Sequence, residues 1–190
     1  MGYMVPVGIS NKHLHVNKKD LETLFGVGYE LHPSKELKQP GQYAAEEKVD
    51  LVGPKGTLKG VRILGPVREE TQVELSLTDA RTLGVAVSVK ESGKLDNTPG
   101  LKLVGPAGDA EIEKGAIAAL RHIHLSTGQA IEAGVVDKQI VSVRTLGERG
   151  LLFNNVLVRA GDAYEKEMHV DTDEANAAGL CNDEEVEILV

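Results

Sequence analysis

VRILGPVREETQVELSLTDARTLG (61–84) lies without a gap on VLVRAGDAYEKEMHVDTDEANAAG (156–179), and this internal repeat decides how the 190-residue chain is built. Each copy passes from an aliphatic run through a polar turn to a second short run, then to a helical piece that ends in glycine, Gly84 on Gly179. In this alignment Glu74 falls on His169. Outside the repeat, His13-Leu-His-Val has a counterpart in His122-Ile-His-Leu, and each pair leads into a short helical piece ending at Gly26 or Gly134. MVPVGIS (4–10) precedes the first pair as IEKGAIAALR (112–121) precedes the second. Two units of about one small barrel each would cover the chain.

Short Val/Ile/Leu runs recur between Gly, Pro and Asn signals: VDLVGPKG (49–56), GVRILGP (60–66), QVELSL (72–77), GVAVSV (84–89), GLKLVGPAG (100–108), QIVSVR (139–144), NNVLVRAG (154–161) and EVEILV (185–190). Such runs bounded by turn formers predict the short strands of a barrel or sandwich. Helical pattern is scarcer. Lys18–Phe25 sets Leu21, Leu24 and Phe25 on one face, and Asp79–Leu83, Gly128–Ala133 and Asp173–Ala178 are similar pieces of one or two turns, each with a glycine stop. The expected class is mainly β with short helices.

Composition removes several functions. The formal charge is −8, from 21 Lys+Arg against 29 Asp+Glu, with no block of like charge, which speaks against nucleic-acid binding. Aromatic residues are 3% of the chain and tryptophan is absent, so stacking platforms for single strands are not expected. No run approaches the length of a membrane span and no secretion signal opens the chain. The single cysteine, Cys181, excludes an internal disulfide and fits a reducing compartment. A cytoplasmic protein is expected.

Residues i and i+2 of an extended segment point to one face. His13 with His15, and His122 with His124, can each offer two imidazoles to one ion. The repeat adds a third ligand to each set, Glu74 to the first and His169 to the second. Three protein ligands with a fourth position open describe a catalytic zinc site; structural zinc is normally closed by four, often with cysteine. One H-x-H is a weak signal, but five of the six histidines fall at repeat-equivalent places. Two zinc ions per chain are expected. His32, in the loop LHPS, reads as structural or solvent-facing, and Cys181, with acidic neighbours and no basic one, reads as a bystander. Arg68, six residues before Glu74, could bind an oxyanion bidentately, with phosphate the natural candidate; the plain reading pairs it with Glu69 or Glu70 on the surface. Lys12, Lys35, Lys55, Lys59 and Arg62 are candidates for a local positive pocket. On residues alone a dizinc hydrolase of phosphoester or acyl substrates ranks first, and a non-catalytic scaffold stapled by zinc stays open.

SNKHLHV (10–16), QPGQYAAE (39–46), VGPKG (52–56), GPVREETQVELSLTDARTLG (65–84), RHIHLS (121–126) and EMHVDTDEANAAG (167–179) together resemble the PduL-type phosphotransacylases (phosphate propanoyltransferases), from about residue 5 to the C-terminus. The resemblance implies transfer of a short acyl group between coenzyme A and inorganic phosphate at a dizinc site. The family's two zinc sites fall on His13, His15, Glu74 and on His122, His124, His169, and its phosphate-binding arginine on Arg68. Its coenzyme A contacts fall on Ser10, Lys35, Arg62, Leu64, His169 and Asn176. It implies two closed β-barrels with short capping helices, the first built from residues 1–11 and 120–190, the second from 12–119. The partners implied are coenzyme A, acyl phosphate and phosphate, with no nucleic acid and no membrane, and a homo-oligomer left open. Only MGYMVPVG precedes the first motif, too short for the targeting helix of microcompartment members, so a microcompartment location is expected only if a targeting peptide has been removed.

Overall fold

The computed structural model describes residues 2–190. In chain order the elements begin with β1 (Tyr3–Ser10), β2 (His13–His15), α1 (Lys18–Phe25), β3 (Pro33–Glu36), β4 (Tyr43–Val52) and β5 (Thr57–Gly65). Next come β6 (Gln72–Glu74), α2 (Leu77–Leu83), β7 (Val89–Lys90), β8 (Leu101–Val104), β9 (Asp109–Ile112) and β10 (Ala116–Ala119). The last third holds β11 (His122–Leu125), α3 (Thr127–Ala133), β12 (Ile140–Arg144), β13 (Leu152–Ala160), β14 (Glu167–Asp171), α4 (Thr172–Ala178) and β15 (Glu185–Leu189). The class is mainly β with short helices, as the turn-bounded aliphatic runs require.

The chain divides into two compact units, Met1–Asn11 with Leu120–Val190, and Lys12–Ala119. In the first unit the strands close into a barrel in the order β1-β14-β11-β13-β12-β15. Its core is Val5, Val7, Ile123, Leu125, Val143, Val156, Val158, Met168, Val170, Val186 and Ile188, all nearly or wholly buried. In the second unit the sheet runs β7-β10-β6-β2-β5-β4-β8-β9, with β3 on β4, and curls without closing. Its core holds Leu14, Leu21, Leu24, Leu51, Ile63, Val73, Leu83 and Leu103. A fully buried Leu such as Leu14 contributes about 1.5–3 kcal/mol relative to an exposed one. No helix among the described residues is long and apolar enough to cross a membrane.

The helices start earlier than their apolar spacing predicts, because the caps lie upstream. Ser76, Ser126 and Asp171 each accept a hydrogen bond from the backbone N–H three residues on, so α2, α3 and α4 open at Leu77, Thr127 and Thr172. The Ser76 cap also cuts the expected strand 72–77 short at Glu74. GVAVSV (84–89) is strand only at its end: Gly84 takes a left-handed cap, and the N–H groups of Val85 and Val87 turn to Ala80 and Val85 carbonyls, away from any ladder.

The two Val-Gly-Pro turns, 52–56 and 104–108, have one task. The Lys55 N–H donates to the Leu83 carbonyl at 2.9 Å and the Ala107 N–H to the Leu24 carbonyl at 3.0 Å, which satisfies the free ends of α2 and α1. The turns fit only because glycine stands there: a Cβ on Gly53 would lie 2.3 Å from the Leu83 oxygen. Gly53→Ala is expected to destabilise the protein by about 1–3 kcal/mol through this overlap. Gly128→Ala in α3, where nothing lies within 4 Å of the new methyl, is expected to be neutral or stabilising. Urea denaturation midpoints of the two variants check both.

Candidate active site: two histidine-centred triads

Alternation along four strands places the chemistry. Leu14 of β2, Val73 of β6, Ile123 of β11 and Met168 of β14 are fully buried in the two cores. Their neighbours at i±1 therefore project from the opposite face: His13 and His15, Gln72 and Glu74, His122 and His124, Glu167 and His169. The ladders repeat the same register. In the second unit β2 lies between β5 and β6, with His13 opposite Arg62 and Glu74. In the first unit β11 lies between β13 and β14, with His122 opposite Leu157 and His169. One ligand-capable atom from each of His13, His15 and Glu74 lies within 4.8 Å of the others, and the same holds for His122, His124 and His169.

In the first triad the His15 Nδ1–H donates to the Leu64 carbonyl at 3.0 Å, so Nε2 carries the lone pair. Burial, then the nearby His13 and Arg68, push the His15 pKa down to about 3, so the ring is neutral at physiological pH. Glu74 Oε1 accepts from Gln72 Nε2 at 2.6 Å and from Ser92 Oγ at 3.1 Å. Its Oε2 is 3.6 Å from His13 Nε2.

In the second triad the His122 Nδ1–H donates to the Leu120 carbonyl at 2.9 Å, which leaves Nε2 as an acceptor, 3.1 Å from His124 Nε2. His169 Nε2 donates to Glu167 Oε2 at 2.6 Å, leaving the lone pair on Nδ1. The His124 pKa is pushed down to about 2 by burial and by His122, His169 and Arg159. His124 Nδ1 is buried without a hydrogen-bond partner. Lone pairs on the neutral, desolvated rings of His15 and His124 fit a bound cation, and His₂Glu and His₃ are both donor sets that zinc accepts with a fourth position open.

Arg68 is half-buried beside the first triad, close enough for its charge to depress His15. Its N–H donates to the Val16 carbonyl at 2.9 Å, and Asn17 bridges to it; the Asn17 N–H in turn donates to Thr71 Oγ1 at 3.0 Å. Of the expected coenzyme A set, Ser10, His169 and Asn176 belong to the first unit, and Lys35, Arg62 and Leu64 to the second. Lys35 and Asn176 are exposed, whereas Arg62 is half-buried and donates to the Ala45 carbonyl. Lys12 is engaged with Asp79 at 3.1 Å. His32 is exposed and held by Glu47 at 2.7 Å, a partner its sequence context does not reveal, and the Glu47 carboxylate raises its pKa. Cys181 is exposed on the turn before β15.

Sequence reasoning passed over Gln72, Ser92, Glu167 and Arg159. The repeat held a signal for two of them, since Gln72 falls on Glu167 when Glu74 is laid on His169.

Residues 6–181 match the family model for phosphate propanoyltransferase. A phosphate propanoyltransferase of Thermotoga maritima is 57% identical over 175 residues, covering 92% of this chain and 83% of that protein. The phosphate propanoyltransferase of Salmonella typhimurium is 52% identical over 179 residues (94% and 85%). That of Rhodopseudomonas palustris is 48% identical over 186 residues (98% and 82%).

Proposed function

The chain belongs to the phosphate propanoyltransferase family of transferase enzymes, and from that premise we propose that it interconverts a short acyl-CoA plus phosphate with an acyl phosphate plus coenzyme A, with one zinc ion in each triad. One observation carries the reading. Both units hold two histidines on a central strand and a third ligand opposite the first of them, with ring tautomers fixed by backbone carbonyls. His13, His15 and Glu74 would hold one ion, and His122, His124 and His169 the other. Zinc, when bound, supplies Lewis acidity toward an acyl or phosphoryl oxygen.

The chain's own residues do the rest. Arg68 offers its guanidinium fork to the phosphoryl oxygens, and the clamp on its backbone limits the entropy lost on binding. By the family resemblance Ser10, Lys35, Arg62, Leu64, His169 and Asn176 are the residues proposed to contact coenzyme A. The thiol attacks the acyl carbon of the acyl phosphate directly: the S–C bond forms, the C–O bond to phosphate breaks, phosphate leaves with the electron pair, and the proton of the broken S–H bond ends on the released phosphate. The single cysteine suits the cytoplasm as the place of reaction.

Thiol consumption with coenzyme A and acetyl or propanoyl phosphate tests the activity. Release of phosphate without loss of thiol would mean hydrolysis and sink the transferase reading. Because Cys181 is outside the triads, Cys181→Ser is expected to keep near-wild-type turnover, with kinetics of a ternary complex. An acyl group trapped on Cys181 would overturn direct transfer.

A further inference from the structure

Two residues before each third ligand stands a side chain that the ligand itself grips. Gln72 Nε2 donates to Glu74 Oε1 at 2.6 Å, and His169 Nε2 donates to Glu167 Oε2 at 2.6 Å. Gln72 and Glu167 occupy equivalent places in the repeat, on the same strand face as their ligands, and are only 1% and 7% exposed. Their roles are inverted. Where the ligand is a carboxylate its neighbour is a donating amide, and where the ligand is an imidazole its neighbour is an accepting carboxylate. Each pair therefore holds one carboxylate, on the ligand in one triad and behind it in the other.

We propose that residues 72/74 and 167/169 are matched, interchangeable pairs in which the upstream side chain is a positioning residue that selects the ligand atom turned to the metal. The inference rests on the zinc reading above. Gln72 and Ser92 hold Glu74 Oε1, and Oε2 is the oxygen turned to the triad, 3.6 Å from His13 Nε2. The Gln72 amide cannot flip, because its Oε1 accepts the Gly93 N–H at 2.8 Å and its NH₂ also donates to Ser92 Oγ at 2.8 Å. Glu167 holds the proton of His169 on Nε2, so Nδ1 is the ligand atom. Gly8 on β1 makes room for this carboxylate: a Cβ there would lie 2.6 Å from the Glu167 Cδ.

Mismatched pairs follow from the same chemistry. Gln72→Glu sets carboxylate against carboxylate. Glu74→His alone faces an imidazole with a fixed NH₂, which draws the ring's lone pair away from the ion. Gln72→Glu with Glu74→His rebuilds in the second unit the pair found in the first.

The test is zinc affinity of the full chain, by competition with a chromophoric chelator, with the cobalt(II) visible spectrum as a second readout. Each single variant is expected to weaken one of the two sites about 10- to 100-fold, the usual range for losing such a partner. The double variant should recover to within a few-fold of wild type and show an all-nitrogen cobalt spectrum at that site. Isosteric Glu167→Gln, which leaves the second unit's residues untouched, should weaken only the other site. A double variant no tighter than the weaker single, or Glu167→Gln with wild-type affinity, overturns the pairing. A wild-type protein that takes up no zinc instead overturns the metal reading beneath it.

Discussion

Replacing His122 or His13 by alanine is expected to lower bound zinc from close to two ions per chain toward one and to cut acyl transfer on the order of 100-fold or more. Among the described residues each triad brings three side chains that could hold an ion within reach of one another, so removing one leaves two. Loss of Lewis-acid stabilisation worth several kcal/mol translates into that range at 1.36 kcal/mol per tenfold. The neutral rings sharpen the expectation. His15 and His124, with pKa values near 3 and 2, stay unprotonated in solution of ordinary pH, so protons are weak competitors for their lone pairs. Metal analysis of each purified variant, beside the assay, separates loss of the ion from loss of the fold. Metal-free wild-type protein with full turnover would end the metal mechanism.

Arg68→Ala is expected to raise the apparent KM for phosphate or acyl phosphate about 10- to 150-fold while moving that for coenzyme A far less. A bidentate charged contact contributes roughly 1.5–3 kcal/mol to binding, which sets the range. The hydrogen bond from the Arg68 N–H to the Val16 carbonyl is a main-chain contact, so truncating the side chain leaves the loop anchored. Arg68→Lys should rescue in part, because a point charge restores attraction but not the fork. Unchanged phosphate dependence in the alanine variant would return Arg68 to the surface role its Glu69 and Glu70 neighbours first suggested.

The repeat made the grouping of His13 with Glu74, and of His122 with His169, legible in the sequence, since equivalent strands keep equivalent registers. The hydrogen-bond partners of those residues were harder to see. Gln72 and Glu167 differ in charge and hydrogen-bond sense, and only contact distances show that each is hydrogen-bonded to the triad residue two positions on. Ser92 was invisible for another reason: it reaches Glu74 from the turn after β7, across a sequence separation of 18, and no local pattern reports such a contact. GVAVSV misled because β-branched residues read as strand, whereas the left-handed Gly84 cap spends the following N–H groups locally.

Which face each side chain takes was settled by the sequence, because alternation along a strand is a property of the extended backbone itself. Cap positions were likewise local, written in Ser76, Ser126 and Asp171. Which sheet a strand joins was not written in the repeat. β1 precedes the first histidine strand yet pairs with β14, and β10 precedes the second yet pairs with β6, so each leading strand completes the unit that holds the other histidine pair. An edge strand offers the same row of N–H and C=O groups to any open edge, and only the assembled edges decide where it docks. Closure follows the same logic: β15 meets both β1 and β12 and seals the first barrel, while β7 and β9 stay as the two ends of the second sheet.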